Sequence, residues 1–413
     1  MVNASDTSQL ANIQLDKLKQ IISLPLGRSY LDYADLTKVL GESNFTKPYE
    51  LLNELPYLEK SFVRERQKEL QFGWYDSLWL DWRTTSGSTG SPCGFYKGRY
   101  ATGFMQAVQD NAYAWHGISG SDLQGYFWGG RNGTAGKVAV IKDFIKNRVR
   151  LSAFDTSDAA FKAFYEKICK QKVVYFYGYP SLILEFLRYL RREKLSLANL
   201  SLKAIIGTGE FVFPHEKQEI EGLTDVPFIS EYGCTEVGLI GLTCEHGNCH
   251  VLSSNIVVEV VDENGKQLFD QEGEIVVTEL NSDFYPFVRY KIGDRGILSF
   301  DRCKCGRILP ILRVLSGRKD DFIITPEGNK IYDAIFAYTF KYGVDRFYAK
   351  QIDSDMIVVQ VEINDDFSSD LIDKYIKTFK NSISKNITYE IVIVDKIIRK
   401  SSGKMSYFER LDF

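Results

Sequence analysis

The chain has 413 residues, a length typical of two or three domains that each bury their own core. Lysine and arginine total 51 and aspartate and glutamate 54, a net charge of −3, which argues against a dedicated nucleic-acid binder. No apolar run reaches the ~18–20 residues that cross a bilayer, and the N-terminus lacks the pattern of a secretory leader. With seven cysteines, an odd number, we expect a cytoplasmic protein without membrane contact instead of a secreted disulfide framework.

The first half of the chain shows two successive patterns of apolar residues. Residues 1 to about 82 are predicted to be helical, and from about 100 to 225 short apolar runs alternate with longer periodic segments, which predicts a βα sheet. Val173 to Tyr177 forms a predicted strand, and Ser181 is the expected N-cap of the helix that follows. Two more strand-like runs end at 206 and 229. Because ligands bind outside the carboxyl ends of parallel strands, the turns after these three strands are predicted to line one site.

The second half changes to a period of two. Residues 256–261 and 274–280 flank a turn and predict an antiparallel β subdomain. The expected class is α/β, with the domains assigned as follows: a large N-terminal domain with parallel sheet at 1–316, its antiparallel β subdomain at about 251–316, and a small mobile α+β C-terminal domain at 317–413. In that last domain we expect strands near 321–324, 346–352, 356–363 and 389–394 and helices near 332–341 and 369–384.

A loop of alternating hydroxyls and glycines runs from Thr84 to Pro92. Its backbone N–H groups and side-chain oxygens can form a nest for phosphate, although most such stretches are flexible surface loops. It is not a Walker A loop, because no lysine follows the second glycine, and Gly207-x-Gly209 lacks the third glycine of a dinucleotide fingerprint.

Two carboxylates beside predicted strands are candidates to bind ligands. Glu236 comes after a Tyr-Gly-x-Thr turn and could hold a divalent cation beside phosphates, or be a surface loop acid. Asp294 could accept two ribose hydroxyls, or be a β-turn aspartate before a strand.

Cysteine and histidine cluster at the ends of two predicted hairpins. This density favours a structural zinc site over a set of inert thiols. Spacing places Cys244, Cys303 and Cys305 in the set and leaves open which of His246, Cys249 and His250 completes it. Lys404, near the C-terminus, would have no assigned function by itself.

Six segments in this order resemble the adenylate-forming superfamily of acyl-CoA synthetases, peptide-synthetase adenylation domains and luciferases. They are Thr85 to Pro92, Gly209-Glu210, Tyr232 to Glu236, Tyr290-x-x-Gly293-Asp294, Gly317 to Asp321 and Ser402-Gly403-Lys404. One departure is Ser91, which stands where many relatives carry a lysine.

Within that superfamily the chain looks most like the phenylacetate-CoA ligase branch, which includes CapK-like proteins. Gly178-Tyr179-Pro180-Ser181 and the Cys/His constellation support this likeness. In this branch the pattern suggests a zinc ligand set of Cys244, His250, Cys303 and Cys305, with Cys249 as a spare thiol or an alternative ligand.

The resemblance also implies a role for each motif residue. The loop Ser86, Gly87, Ser88, Thr89 and Gly90 would grip the ATP β- and γ-phosphates, and Glu236 would position Mg²⁺. The remaining ATP contacts would be Gly209, Glu210 and Tyr232 around the base, Thr235 at the α-phosphate, Asp294 at the ribose and Arg318 at the hinge, with Gly233 also in the nucleotide-binding set. Lys404 would bridge the substrate carboxylate and the α-phosphate, and Tyr179 and Cys234 are candidates to line the acyl pocket.

The expected enzyme is an AMP-forming acid-thiol ligase. It would use ATP and Mg²⁺ to convert a small carboxylic acid into an acyl-adenylate, and then, after rotation about Lys319-Asp320, transfer the acyl group to coenzyme A. Alternatives are transfer to a carrier-protein phosphopantetheine or to an amine in polysaccharide biosynthesis, and an inactive nucleotide- and zinc-binding scaffold. The resemblance also suggests a homodimer.

Overall fold

The computed structural model describes residues 7–23, 45–66, 80–84, 94–129, 134–282, 284, 286–316, 322–340, 342–400 and 403–411. The phosphate loop predicted at Ser86 to Gly90 and the predicted hinge residues Arg318 to Asp320 lie outside these ranges. In the described ranges, the helices are α1 (Thr7–Ser23), α2 (Pro48–Asn53), α3 (Lys60–Arg66), α4 (Arg99–Tyr113), α5 (Thr134–Ile145), α6 (Asp158–Gln171), α7 (Pro180–Arg192), α8 (Pro214–Thr224), α9 (Ala334–Thr339) and α10 (Asp370–Ser382).

The strands are numbered in the same way. They are β1 (Leu80–Thr84), β2 (Gly94–Gly98), β3 (Gln124–Trp128), β4 (Arg148–Ser152), β5 (Tyr175–Gly178), β6 (Ala204–Thr208), β7 (Phe228–Cys234), β8 (Gly238–Thr243), β9 (Cys249–Val251), β10 (Ile256–Val261), β11 (Glu272–Glu279), β12 (Tyr290–Ser299), β13 (Ile311–Ser316), β14 (Phe322–Ile324), β15 (Lys330–Tyr332), β16 (Val344–Asp353), β17 (Met356–Ile363), β18 (Thr388–Ile393) and β19 (Phe408–Arg410).

The chain forms two compact units, each built from two chain segments. The first unit combines Met1–Asp122 with Ile229–Leu315, and the second combines Leu123–Phe228 with Ser316–Phe413. A domain boundary near residue 317 stays a prediction from the sequence.

The first unit contains the antiparallel strands. Its strands neighbour one another in the order β10-β11-β12-β13-β9-β8-β7. The predicted hairpin is confirmed, because β10 and β11 pair antiparallel with Ile256 opposite Glu279. The leucines of α1 and α2 pack with the valines and isoleucines of β10 and β11 in one buried cluster, so the helical N-terminal segment covers this part of the sheet.

The second unit contains a parallel sheet in the order β6-β5-β3-β4. The pairs β3–β4, β3–β5 and β5–β6 are all parallel, as the alternating pattern predicts. From β3 the chain moves outward to β4, and from β5 it moves outward to β6, so the strand order reverses between β3 and β5. A reversal of this kind opens a crevice at the carboxyl ends of the two central strands.

The C-terminal segment of the second unit forms a smaller sheet in the order β18-β17-β16-β19. It is α+β as expected, because α9 and α10 pack against it through Phe336 and Phe379. The predicted strands and helices of this segment are confirmed to within a few residues. The mixed α/β class is therefore confirmed for the chain.

One local prediction is wrong. Ser181 does not cap α7, because the helix begins one residue earlier at Pro180, with Tyr179 at the N-cap. Proline suits the first helical position, since its missing N–H would have had no partner there. The N–H of Ser181 instead donates to the Glu210 carboxylate at 3.1 Å, so an acid distant in sequence caps this helix. Among the helices described, none is long and apolar enough to cross a membrane.

Candidate functional site

In the second unit, Lys404 lies at the carboxyl ends of the parallel strands. A Cβ placed on Gly209, just after β6, would come within 3.3 Å of Lys404 Nζ. The same Nζ is 6.0 Å from the ring centre of Tyr179, just after β5. A Cβ on Gly403 would approach Gly129 Cα, just after β3, to 3.3 Å. The lysine turn therefore occupies the crevice where the strand order reverses.

This turn is closed by its own backbone. The N–H of Gly403 donates to Lys400 C=O at 2.8 Å, and the N–H of Lys400 donates to Lys404 C=O at 3.0 Å. Gly403 has a φ of +85°, and a Cβ there would lie 3.0 Å from the Ala153 Cβ, so both its conformation and its surroundings require glycine. The Gly403-Lys404 pair is thus explained locally by the turn that presents the lysine, while Ser402 lies outside the described residues.

Glu210 fastens this turn to the sheet. One carboxylate oxygen accepts the N–H of Met405 at 2.6 Å, while the other accepts the N–H of Ser181. The carboxylate expected near adenine thus joins the N-terminus of α7 to the residue after Lys404. This contact gives Glu210 a structural task in addition to the one the family resemblance implies.

Tyr179 is held face to face with another aromatic side chain. Its ring stacks on Trp128 with centroids 4.3 Å apart and an interplanar angle of 24°. Burial and the nearby Glu210 carboxylate raise the pKa of Tyr179, so its phenol stays protonated. Tyr179 can therefore line a pocket and donate a hydrogen bond there, but it is not a base.

The first unit holds the other predicted residues of the nucleotide site. Tyr232, on β7, donates its phenol to Asp294 Oδ2 at 2.7 Å. Burial and Asp294 raise the pKa of Tyr232, which keeps the phenol a donor. The two residues are far apart in sequence but form one polar pair, and a carboxylate oriented in this way suits a diol ligand.

Glu236 is buried and held at both its side chain and its backbone. Tyr290 donates to Glu236 Oε1 at 2.8 Å, and the Lys97 ammonium donates to the Glu236 carbonyl at 2.9 Å. Lys97 also contacts both carboxylate oxygens of Glu279, at 2.6 and 2.7 Å. This network fixes the predicted Mg²⁺ ligand on the framework of β2, β11 and β12.

The turn before Glu236 is tight. A Cβ on Gly233 would lie 2.4 Å from the carbonyl oxygen of Gly238, so glycine is required at this position. Thr235 is exposed at the tip of the turn, where it can reach a ligand. Burial and Glu236 raise the pKa of Cys234, so this thiol stays protonated and has no nucleophilic character.

A candidate metal centre lies elsewhere in the first unit. Cys244, His250, Cys303 and Cys305 place one potential ligand atom each within 4.8 Å of all the others. The Cys244 and Cys303 sulfurs are 3.7 Å apart, close to the ~3.8 Å edge of a tetrahedral site with 2.3 Å Zn–S bonds. Three sulfurs and one imidazole nitrogen form the donor set that zinc prefers.

Outer contacts orient two of these ligands. His250 Nδ1 lies 3.0 Å from the Leu309 carbonyl, which can only accept, so Nε2 is left unprotonated 3.2 Å from Cys305 Sγ. Burial disfavours the Cys303 thiolate, but hydrogen bonds from the Cys305 backbone and the Asn248 amide lower the pKa of Cys303 to about 6. The donor set therefore fits a divalent soft metal.

Cys249 does not join this cluster. It neighbours His250 on β9, and successive side chains of a strand point to opposite faces. A Cβ on Gly241 would lie 2.7 Å from Cys249 Sγ, which shows where this thiol packs, and burial raises its pKa to about 12. His250 is thus the residue that the geometry groups with the three cysteines.

The sequence interpretation missed Lys97, Glu279, Glu185 and Arg399. The sequence contains a weak signal that Lys97 is buried. It stands two residues after Phe95 on β2, so both side chains lie on the same buried face of the strand. Glu185 and Arg399 form an ion pair although they lie 214 positions apart, so no local pattern predicts it.

The chain is similar in sequence to several known proteins. The family model for the CapK C-terminal domain matches residues 323–410. Protein CapK from Staphylococcus aureus is 22% identical over 377 residues, covering 86% of this chain and 79% of that protein. A phenylacetate-coenzyme A ligase from Thermus thermophilus is 31% identical over 152 residues, but this match covers 35% of the chain and 34% of that enzyme.

Solved structures decide the fold. A 2-hydroxyisobutyryl-CoA ligase in the postadenylation state superposes with a TM-score of 0.76 over 98% of this chain and 90% of that one, at 18% identity. The chain has the fold of this CoA ligase, and its sequence is similar to that of CapK. ATP-bound MatB from Rhodopseudomonas palustris shares this fold with a TM-score of 0.56, 16% identity, and coverage of 78% of this chain and 65% of that one.

Proposed function

We propose that this protein activates a carboxylic acid with ATP and transfers the resulting acyl group to a thiol, coenzyme A being the first candidate. The observation that carries the proposal is the position of Lys404 in the crevice at the carboxyl ends of the parallel strands. Glycine geometry and Glu210 hold this lysine where its ammonium lies beside the ends of the strands, and two anionic substrates that meet there need such a cation.

The proposed first step joins two anions. A carboxylate oxygen of the acid attacks the ATP α-phosphorus, the bond from that phosphorus to the bridging β-oxygen breaks, and pyrophosphate leaves with the electron pair. The Lys404 ammonium bridges the attacking carboxylate and the α-phosphate, which offsets their repulsion in the transition state. When bound near Glu236, Mg²⁺ would neutralise phosphate charge.

Nucleotide contacts are assigned from the family resemblance. Asp294, oriented by Tyr232, would accept the ribose hydroxyls, and Thr235 would contact the α-phosphate. Gly209 and Glu210 would border the base, Ser86 to Gly90 would bind the outer phosphates, and Arg318 would act at the hinge. The polar pair of Tyr232 and Asp294 supports the ribose assignment, since it leaves a fixed carboxylate as acceptor.

In the second step the acceptor attacks the acyl carbonyl carbon and AMP leaves. The relatives named as coenzyme A ligases favour a thiol acceptor. A carrier-protein phosphopantetheine would react by the same chemistry, and an amine would give an amide instead. Tyr179, whose ring stacks on Trp128, is the candidate for the acyl pocket in the second unit, and Cys234 is a separate candidate in the first unit.

We also propose that Cys244, His250, Cys303 and Cys305 hold a structural zinc ion. All four donors are protein side chains, so a tetrahedral ion would keep no position for substrate. Its role would be to fasten the β8–β9 hairpin to the turn at 303–306.

The test is carboxylate-dependent exchange of labelled pyrophosphate into ATP with Mg²⁺, using a panel of aryl, short-chain and amino acids. We expect exchange with one class of acid, and a loss of about 100-fold or more in Lys404→Ala with ATP binding retained by calorimetry. Lys400→Ala is the matched control, because this exposed lysine belongs to the same turn.

Failure of both exchange and ATP binding would contradict the ligase proposal and favour the scaffold alternative. Full exchange in Lys404→Ala would contradict the role of this lysine while leaving the activity in place. The acid that supports exchange names the substrate class.

A further inference from the structure

Arg399 makes three hydrogen bonds around the turn that presents Lys404, and its guanidinium also lies 3.9 Å from Glu210 Oε1. Its guanidinium donates to Ser181 Oγ at 2.7 Å, to the Gly403 carbonyl at 3.3 Å and to Glu185 Oε2 at 2.9 Å. Its side chain is 8% exposed, so these contacts are made largely out of water. One planar cation thus ties the turn to the first two turns of α7.

Glu185 is the anchor of this arrangement. Besides Arg399, it is contacted by Arg346 at 2.9 Å and by Lys396 at 3.8 Å, and all three cations come from the C-terminal segment of the second unit. Burial disfavours its charge, yet Arg346 and Arg399 together lower the pKa of Glu185. The carboxylate therefore stays ionised and presents a fixed acceptor to Arg399.

The residues on either side of Lys404 are held from opposite directions. Arg399 binds the carbonyl of Gly403, and Glu210 binds the N–H of Met405. A lysine side chain has many rotamers, and some of this freedom is lost when the ammonium binds its target. Fixing the backbone on both sides of Lys404 limits the positions that the ammonium can reach, so less freedom remains to be lost on binding. A shift of the turn by about 1 Å would remove much of the catalytic benefit.

We propose that Arg399, anchored by Glu185, is a positioning residue that sets Lys404 for the adenylation half-reaction. This inference rests on the proposed function, which assigns Lys404 to that step. Arg399 itself touches neither the acid nor ATP, and acts through the turn. It follows that removing Arg399 lowers kcat and leaves substrate affinity nearly unchanged.

The kinetic test is a double-mutant cycle in pyrophosphate exchange. Arg399→Met should lower kcat about 10- to 100-fold with the KM values of ATP and acid within about threefold, and Arg399→Lys should recover part of the loss. In a Lys404→Ala background, assayed at high enzyme concentration, Arg399→Met should cost nothing further. Equal losses in both backgrounds would overturn the proposal.

Arg188→Met is the matched control. Arg188 also lies on α7 and pairs with the C-terminal segment, at Asp345 Oδ1 3.2 Å away, but its other partner is Glu219 on α8 instead of the backbone beside Lys404. We expect its exchange rate to stay within about threefold of the wild type. A loss as large as that of Arg399→Met would show that any ion pair on this helix matters equally, and would overturn the specific role of Arg399.

A second readout does not use activity. Competitive acetylation of the native protein, read by mass spectrometry, should show Lys404 labelled several times faster in Arg399→Met, with the exposed Lys142 as internal reference. Unchanged labelling of Lys404 would overturn the positioning role even if exchange fell. Absence of exchange in the wild type would instead contradict the proposed function, so the two failures are distinguishable.

Discussion

Lys97 is a single residue on which the first unit depends. Both it and its partner Glu279 are completely buried, and the ammonium also holds the backbone of Glu236. Two charges withdrawn from water are tolerated only while each satisfies the other. The pair therefore fixes the predicted Mg²⁺ ligand at the cost of making the fold sensitive to loss of either partner.

We expect Lys97→Met to lower the free energy of unfolding by about 3–5 kcal/mol, because it leaves the Glu279 carboxylate buried without its partner. Urea unfolding followed by tryptophan fluorescence measures this loss. Adding Glu279→Gln should restore part of the stability, since the uncompensated charge is then removed.

The control is Arg295→Met, which breaks the more exposed pair with Glu272 in the same unit and should cost under about 1 kcal/mol. A Lys97→Met protein as stable as the Arg295→Met protein would show that the buried pair is not needed for folding.

At the scale of elements, β9 decides which side chains can share a metal. Because Cys249 and His250 are neighbours on the strand, they face opposite ways, and the histidine joins the three cysteines. The resemblance named this ligand set in advance, whereas spacing alone left three residues open. Strand alternation, visible once β9 is placed, supplies the physical reason for the choice.

We expect the purified protein to contain about one zinc ion per chain, which Cys303→Ser loses and Cys249→Ser retains. Elemental analysis by mass spectrometry measures the content, and a chelator should lower the melting temperature of the wild type and of Cys249→Ser. Zinc retained in Cys303→Ser, or absent from a wild type prepared without chelator, would contradict the assignment.

The local sequence pattern was enough to predict most helices and strands. It failed where a residue distant in sequence determines the structure. Alternation and turn residues located β5, β10 and the strands of the C-terminal segment, because these signals are local. The N-cap at Ser181 was misassigned since Pro180 starts the helix and Glu210, 29 residues away, supplies the capping carboxylate. No sequence window contains that contact.

The candidate site, too, could be predicted only in part from the local sequence. Glycines at 233 and 403 follow from tight turns that the sequence already marks, and they locate Glu236 and Lys404. The roles of Glu236 and Lys404 came from the family resemblance, because a single lysine or glutamate in a sequence does not indicate a reaction. The ion pairs of Lys97 and Arg399 could not be foreseen, since their partners Glu279 and Glu185 lie 182 and 214 residues away.

For the molecule as a whole, the proposed reaction specifies which bonds form and break. Each unit brings its own predicted residues together: Tyr232, Glu236 and Asp294 in the first, and Tyr179, Glu210 and Lys404 in the second. The family resemblance assigns both sets to one reaction, and we propose that reaction: attack of the acid on the α-phosphorus of ATP. An enzyme that attacked the γ-phosphorus would instead make an acyl phosphate and ADP.

The most direct measurement follows the oxygen atoms of the acid. The acid that supports exchange is labelled with ¹⁸O in its carboxylate, and hydroxylamine serves as an acceptor that any activated acyl group can meet. Attack on the carbonyl carbon releases the nucleotide with the oxygen that joined it to the acid. We predict one ¹⁸O in AMP by mass spectrometry; label in inorganic phosphate together with ADP would contradict the adenylation account.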